Sequence, residues 1–128
     1  MARAAFRLAL ALAASLPAAT PALATSTVRC ASPERGAPIL YVSVGSSGGI
    51  DYAQIVEGRL EIATGIGRAH PRIGPHRVTA TRMVLDIIAA NADTFLARLD
   101  TRARGAGYVG TLAYRGRAWR IRCRWDEG

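Results

Sequence analysis

The stretch from Tyr108 to Trp125 constrains the fold of this chain more than any other part of the sequence. Two alternating runs flank the Arg115-Gly116 pair, which suits a tight connection between antiparallel strands. In the second run, one set of alternate residues is apolar and the other is dominated by arginine. The apolar set is Trp119, Ile121, Cys123 and Trp125, and the other set is Ala118, Arg120, Arg122 and Arg124. The pattern predicts a β-hairpin with one face in the core and a row of cations on the other.

Residues 1–24 have the composition of a secretory signal peptide. A short basic start precedes a run of Leu and Ala, and small residues occupy the cleavage site, Ala22-Leu23-Ala24. A membrane-spanning helix needs about 20 apolar residues, and two prolines interrupt this run early. We therefore predict cleavage after Ala24. The mature chain, residues 25–128, is then a single periplasmic or secreted domain without a membrane span.

Two cysteines, Cys30 and Cys123, lie near the two ends of this predicted domain. An even number of cysteines in an exported chain favours a disulfide. A bond between them would close a loop that takes in nearly the whole domain, which is worth about 4–5 kcal/mol in the chain-entropy model. Val28 shares the inward face of the first predicted strand with Cys30, as Ile121 does with Cys123. We expect the first and last strands to be neighbours.

Alternating apolar residues and turn-forming residues predict about eight short strands in the mature chain. These strands lie within residues 25–32, 39–44, 50–57, 59–64, 78–90, 94–104, 108–114 and 118–125. The segment Gly65–Arg77 contains three Gly, two Pro and both histidines, and is predicted to be the main loop. The predicted fold is all-β, a small antiparallel sandwich or barrel whose terminal strands are joined by a disulfide.

One region, Met83–Leu99, also fits a helical pattern, because several of its apolar residues can share one helical stripe. Asn91 and Asp93 interrupt the middle of that stripe, and β-branched residues are dense before them. The sequence therefore favours strands here, with a helix as the alternative.

Positive charge is concentrated in the last third of the chain. All 17 basic residues are arginine, and 15 of them follow the predicted signal peptide, against nine acidic residues. From Arg98 to Arg124 there are eight arginines and one acidic residue, Asp100. Such a charge favours anionic partners, unless the face is only solvated. The candidate partner-binding residues are Arg98, Arg102, Arg104, Arg120, Arg122 and Arg124.

Residues that could carry catalysis do not form a recognisable pattern. His70 and His76 lie in an arginine-rich segment without the further ligands that zinc requires. Ser46 and Ser47 lie in a Gly-rich turn that lacks the strand-to-helix context of a nucleophile. The carboxylates considered as an acid–base pair are Asp51, Glu57, Glu61 and Asp86. Their spacing does not predict a pair, so we expect no catalytic residue, metal or cofactor.

Aromatic residues in the hairpin are a further candidate site, one that would bind a sugar. Trp119 and Trp125, with Tyr108 and Tyr114, could form a platform on which a sugar ring stacks. Their position on the predicted inward face instead favours a role in the core.

A small exported β domain with cysteines near both ends resembles the periplasmic lysozyme inhibitors. Those inhibitors rely on a Ser-x-Ser-Gly segment with a Tyr just beyond it. Here the nearest equivalent is Ser46-Ser47-Gly48-Gly49 with Tyr52, at a different spacing and early in the chain. We assign no family on this basis.

The sequence thus favours a non-enzymatic, exported domain that binds an anionic partner through an arginine-rich face. The partner would be an anionic glycan, a lipid head group or an acidic protein, and nucleic acid is not expected in that compartment. The alternatives are an inhibitor of a secreted hydrolase, such as a lysozyme, and a small cell-envelope hydrolase.

Overall fold

The computed structural model describes residues 25–126, which form a single antiparallel sheet of nine strands. The strands are β1 (Ser26–Ala31), β2 (Ile39–Val44), β3 (Ile50–Glu57), β4 (Leu60–Ala63), β5 (Arg72–Val78), β6 (Arg82–Ile88), β7 (Phe95–Arg104), β8 (Gly107–Tyr114) and β9 (Arg117–Asp126). Their order across the sheet is β4-β3-β2-β1-β9-β8-β7-β6-β5. The predicted all-β fold is confirmed, with nine strands in place of about eight.

The sheet curls into a half-barrel. Strand β3 is second from one edge of the sheet and β5 forms the other edge, yet some of their Cα atoms lie within 8 Å of one another. The concave face holds the core, whose largest fully buried side chains include Leu40, Ile55, Met83, Leu85 and Leu112. The convex face carries most of the charged residues. Within residues 25–126, no helix has the length and apolar character needed to cross a membrane.

The first and last strands are neighbours, as the cysteine spacing predicted. Cys30 lies directly opposite Cys123 in the β1–β9 ladder, and the two are joined by a disulfide with a Cα–Cα distance of 3.9 Å. Both cysteines are fully buried. The bond is consistent with an oxidising compartment outside the cytoplasm. The predicted signal peptide and its cleavage site lie outside the described residues.

The prediction that Gly65–Arg77 is a loop is wrong for its second half, because Arg72–Val78 forms strand β5. This strand lies at the edge of the sheet and pairs with β6 on one side only. The pairing register shifts between Ile73 and His76, around Pro75. A proline is tolerated at such a position, since an edge strand need not donate every backbone hydrogen bond.

The region Met83–Leu99 forms strands, as favoured, and the helical alternative is wrong. Strands β6 and β7 pair with each other across a short turn, in which the N–H of Ala89 donates to the carbonyl of Thr94 (2.9 Å). Asn91 adopts a positive φ of 55° in this turn, a conformation that asparagine tolerates better than most residues.

The hairpin formed by β8 and β9 matches its prediction in all but one residue. Arg115 and Gly116 both have positive φ, at 51° and 72°, as a tight two-residue turn requires. Trp119 and Ile121 are buried, but Trp125 is 37% exposed. Trp125 shares the alternation of the inward residues, yet it lies near the end of β9, where the core no longer covers it.

Replacing both cysteines (Cys30→Ala with Cys123→Ala) is expected to lower the free energy of unfolding by about 4–5 kcal/mol, because the unfolded chain regains the entropy of a long loop. Urea unfolding of both proteins, with and without a reductant, measures this. The reductant should lower the midpoint of the native sequence and leave the double variant unchanged. A native midpoint that does not respond to full reduction would contradict the prediction.

Candidate anion-binding groove

Strand β8 lies between two rows of arginines on the convex face. Val109 of β8 pairs with Arg102 of β7 on one side and with Arg122 of β9 on the other. Two residues earlier on β8, Gly107 pairs with Arg104. The outward residues of β8 are therefore short, whereas those of the flanking strands are mostly arginine, with Asp100 of β7 as an exception. The difference in side-chain length makes a trough along β8.

Two glycines of β8 lie close to the backbones of the neighbouring strands. A Cβ at Gly110 would overlap the carbonyl oxygen of Asp100, and a Cβ at Gly107 would overlap that of Cys123. Both positions thus require glycine because the backbones approach too closely for any side chain. The floor of the trough consists largely of backbone.

This trough forms part of a groove of about 870 Å³, which extends over β9 to the end of β1. Five arginines contribute to its lining: Arg29, Arg104, Arg120, Arg122 and Arg124. Trp125 and Asp126 also line it, and Val109 and Gly110 lie in its floor. We call this feature the arginine groove.

The six predicted arginines do not all take part. Arg104, Arg120, Arg122 and Arg124 line the groove, whereas Arg98 and Arg102 do not. The Nε atom of Arg98 donates to the carboxylate of Asp86 (3.0 Å), and its guanidinium lies 4.2 Å from the centre of the Phe95 ring. Arg98 therefore already has partners.

Arg102 faces outwards next to the groove. Its neighbour on β6 is Arg82, which donates to Asp100 at 2.6 Å. Among residues 25–126, ion pairs are found for Arg82 and Arg98 but not for Arg102 or for the arginines of the groove. The groove therefore concentrates positive charge, which Asp126 reduces by one.

Arg29 was not among the predicted residues. It lies on β1 directly opposite Arg124 of β9. The predicted disulfide already contained this information, because aligning Cys30 with Cys123 in an antiparallel pair places Arg29 opposite Arg124.

Glu34 directly follows Pro33, which lines one end of the groove. Strand β1 ends at Ala31, so the N–H of Arg120 has no strand partner on that side. It donates instead to the carboxylate of Glu34 (2.9 Å), which also lies 3.6 Å from the guanidinium of Arg117. This backbone hydrogen bond, together with the nearby charges of Arg117 and Arg120, holds the pKa of Glu34 below its ordinary value of 4.5.

The residues weighed for catalysis are placed less favourably. His76 and Asp86 share a shallow depression of about 490 Å³ over β5, β6 and β7. Asp86 accepts hydrogen bonds from Arg98, and Nδ1 of His76 lies 2.9 Å from the carbonyl oxygen of Gly74. Within the described residues, no hydrogen bond joins the imidazole to the carboxylate. The depression thus contains a histidine and a carboxylate, which are the residue types of an acid–base site, but the two side chains are not hydrogen-bonded to each other.

Of the remaining candidates, Ser47 lies near His76, because Ser47 Oγ and His76 Nε2 are both within 4.0 Å of the position that a Cβ on Gly49 would occupy. Ser46 and Ser47 are exposed in a turn closed by the N–H of Gly45 donating to the carbonyl of Gly49 (2.8 Å). Glu57 interacts with Arg115 at 3.4 Å. No group of three or more His, Cys, Asp or Glu residues that could hold a metal ion occurs within residues 25–126.

The loop between β4 and β5 projects an apolar side chain into solvent. Ile66 is 99% exposed at this loop. The N–H of Gly65 donates to the carbonyl of Pro71 (2.9 Å), and the N–H of Asn91 donates to the carbonyl of Arg68 (2.8 Å). The base of the loop is therefore fixed by hydrogen bonds.

A search of protein-family models finds no match to the chain, and searches of curated proteins and of solved structures find no significant match either.

A Glu34→Gln variant is expected to be less stable than the native sequence near pH 7, and this difference is expected to shrink at a pH well below 4.5. The folded-state pKa of Glu34 is lowered, so its contribution is complete above about pH 4.5 and is lost as the pH falls through the lowered value. Urea unfolding at both pH values measures the difference. An exposed carboxylate, Glu61, supplies the control variant Glu61→Gln. A difference between Glu34→Gln and the native sequence that does not depend on pH would contradict the assignment.

Proposed function

We propose that this chain is an exported, non-enzymatic β domain that binds an anionic partner through the arginine groove. The observation that carries the proposal is the set of arginines that line the groove without an ion pair among the described residues. Their guanidinium groups flank a floor of backbone and short side chains. A ligand can therefore reach several cations at once.

The charge of the groove is a source of binding energy. Arg29 and Arg124 lie directly opposite each other on adjacent strands, which are about 5 Å apart. Arg122 and Arg124 lie two positions apart on one strand, which is roughly 7 Å. Like charges carried at neighbouring backbone positions repel each other. A bound anion removes that repulsion and can accept paired hydrogen bonds from the planar guanidinium groups.

Export supports a partner in the cell envelope or outside the cell. The composition of residues 1–24 is that of a signal peptide, and the Cys30–Cys123 disulfide favours an oxidising compartment. The anionic molecules of that setting are acidic glycans, lipid head groups and acidic proteins. Nucleic acid is not the expected partner.

An enzymatic role is less well supported. Asp86, which shares a depression with His76, is already engaged by Arg98. In the arginine groove, by contrast, five arginines outnumber a single carboxylate, Asp126.

Replacing two groove arginines (Arg104→Gln with Arg124→Gln) is expected to reduce the affinity for inorganic polyphosphate at least tenfold, or about 1.4 kcal/mol. Two cations that contact the anion are lost. Binding is measured by titration calorimetry at low ionic strength. Raising the salt from about 0.01 M to 0.15 M shortens the Debye length from roughly 30 to 8 Å, and should weaken binding to the native protein steeply.

The matched control is Arg59→Gln with Arg77→Gln, which removes the same charge away from the groove. This variant should retain most of the affinity. An equal loss in both double variants would show that net charge alone attracts the anion. Absence of binding at low salt would overturn the proposal.

Inhibition of a secreted hydrolase is the second candidate function, and the exposure of Ile66 on a fixed loop favours it. A rigid apolar side chain in solvent suits insertion into the pocket of a partner protein. Ile66→Asp is expected to abolish any inhibition while leaving polyphosphate binding unchanged. The measurement is the activity of a secreted lysozyme with increasing amounts of each protein. Inhibition that persists in Ile66→Asp would exclude this loop as the inhibitory element.

A further inference from the structure

Two pairs of arginines lie on either side of the trough along β8. The first pair is level with Val109, which is opposite an arginine on each neighbouring strand. The second pair is level with Gly107, which is opposite an arginine of β7, and a Cβ on Gly107 would lie 3.7 Å from the Cα of an arginine of β9. All four arginines are exposed. The pairs are Arg102 with Arg122 and Arg104 with Arg124.

The spacing of these pairs suits one extended chain. Neighbouring strands are about 5 Å apart, so the backbones of β7 and β9 that carry each pair are separated by roughly 10 Å. Along each strand the arginines are two residues apart, which is roughly 7 Å. An unbranched chain lying along β8 would pass between both pairs. It could then meet a cation on each side at two successive positions.

The trough is open at its end near the β7–β8 turn. The turn consists of Gly105 and Ala106, which line a depression of about 550 Å³ together with Arg104, Arg122 and Arg124. Neither turn residue has a side chain long enough to cross the trough. A polymer bound beside these arginines can therefore continue past the turn into solvent.

The opposite end of the trough is acidic on one side. Thr111 of β8 pairs with Arg120 of β9 but with Asp100 of β7. The carboxylate of Asp100 accepts a hydrogen bond from Arg82 (2.6 Å). Because a carboxylate repels an anionic group, the part of the trough near the turn offers the stronger attraction.

Other anionic ligands would use this arrangement less fully. A single phosphate group has four oxygen atoms, so it cannot provide a separate pair of acceptors to each of four guanidinium groups. An acidic peptide that binds by strand addition needs a free sheet edge, but β8 and β9 each have a strand on both sides.

We propose that the ligand of the arginine groove is a single unbranched chain with an anionic group on each repeat unit, lying along β8 between the two arginine pairs. This inference rests on the proposed function, since it names the ligand class of the same groove. It also adds Arg102, which lies beside the groove, to the ligand-binding residues. Phosphate chains and carboxylate chains share this chemistry.

The first test compares a linear anion with a compact one. Linear polyphosphate should bind the native protein at least tenfold more tightly than myo-inositol hexakisphosphate, which carries the same number of phosphate groups on one ring. Calorimetry at low ionic strength measures both affinities. Oligogalacturonate tests a linear carboxylate chain in the same way. Equal or tighter binding of the compact anion would overturn the inference.

The second test blocks the trough without changing its charge. Val109→Phe places a bulky ring between the first arginine pair and should reduce the affinity for linear polyphosphate at least tenfold. The matched control is Val84→Phe, which makes the same change at a half-buried position of β6 outside both depressions. This control should change the affinity less than twofold. If oligogalacturonate binds, the same loss in Val109→Phe shows that a carboxylate chain also lies along β8.

The third test concerns Arg102. Arg102→Gln should weaken binding of linear polyphosphate at least threefold and that of the compact anion less than twofold. Arg59→Gln removes the same charge from an exposed position away from the trough and should change both affinities less than twofold. Circular dichroism shows whether each variant is folded, and Arg102→Gln, a change at an exposed residue, tests the inference if Val109→Phe does not fold.

The remaining outcomes separate this inference from the proposed function. Full binding of linear polyphosphate by both Val109→Phe and Arg102→Gln overturns the inference and leaves the proposed function standing. Binding of anionic phospholipid vesicles without binding of either linear chain overturns it as well. If none of these anions binds the native protein at low salt, the proposed function itself fails.

Discussion

The pairing of β1 with β9 is the constraint on which the rest of the structure depends. Strands β1 to β4 form one antiparallel meander, and β5 to β9 form another. Among the described residues, the β1–β9 ladder is the only strand pairing between these two parts. The Cys30–Cys123 disulfide lies in that ladder and fixes its register. A shift of one residue would turn every side chain of β1 to the opposite face.

The same register creates the cationic site. It places Arg29 opposite Arg124 and joins the end of β1 to the arginines of β9. Like charges directly opposite each other in a sheet destabilise it, by a magnitude of up to about 1 kcal/mol for a cross-strand pair. The disulfide is worth about 4–5 kcal/mol in the chain-entropy model. The disulfide can therefore keep β1 and β9 paired although Arg29 and Arg124 on these strands repel each other.

Sequence reasoning succeeded where the information was local or covalent. Alternation assigned β7 and β9 correctly, and the cysteines gave the neighbours at the centre of the sheet. It failed at β5, because Pro75 and the nearby glycines have the composition of a loop, and pairing with β6 overrides that preference. Sequence reasoning could not show that Arg98 lies outside the arginine groove, because its ion pair with Asp86 depends on the register between β6 and β7. The exposure of Trp125 depends on where the core ends along β9. The alternation of apolar and polar residues does not reveal that point.

The distribution of charge over the convex face bears on whether the arginines serve only solubility. On β6 and β7, arginines alternate with acids that neutralise them, as in the pairs Arg82–Asp100 and Arg98–Asp86. Such interspersed charges are sufficient to keep a surface in solution. On β9 the outward positions 120, 122 and 124 are all arginine, and Arg29 and Arg104 add to them from the flanking strands. Both arrangements occur on one sheet, in the same solvent. Solvation is sufficient for the paired region, and the unpaired region is the observation on which the proposed binding of an anion rests.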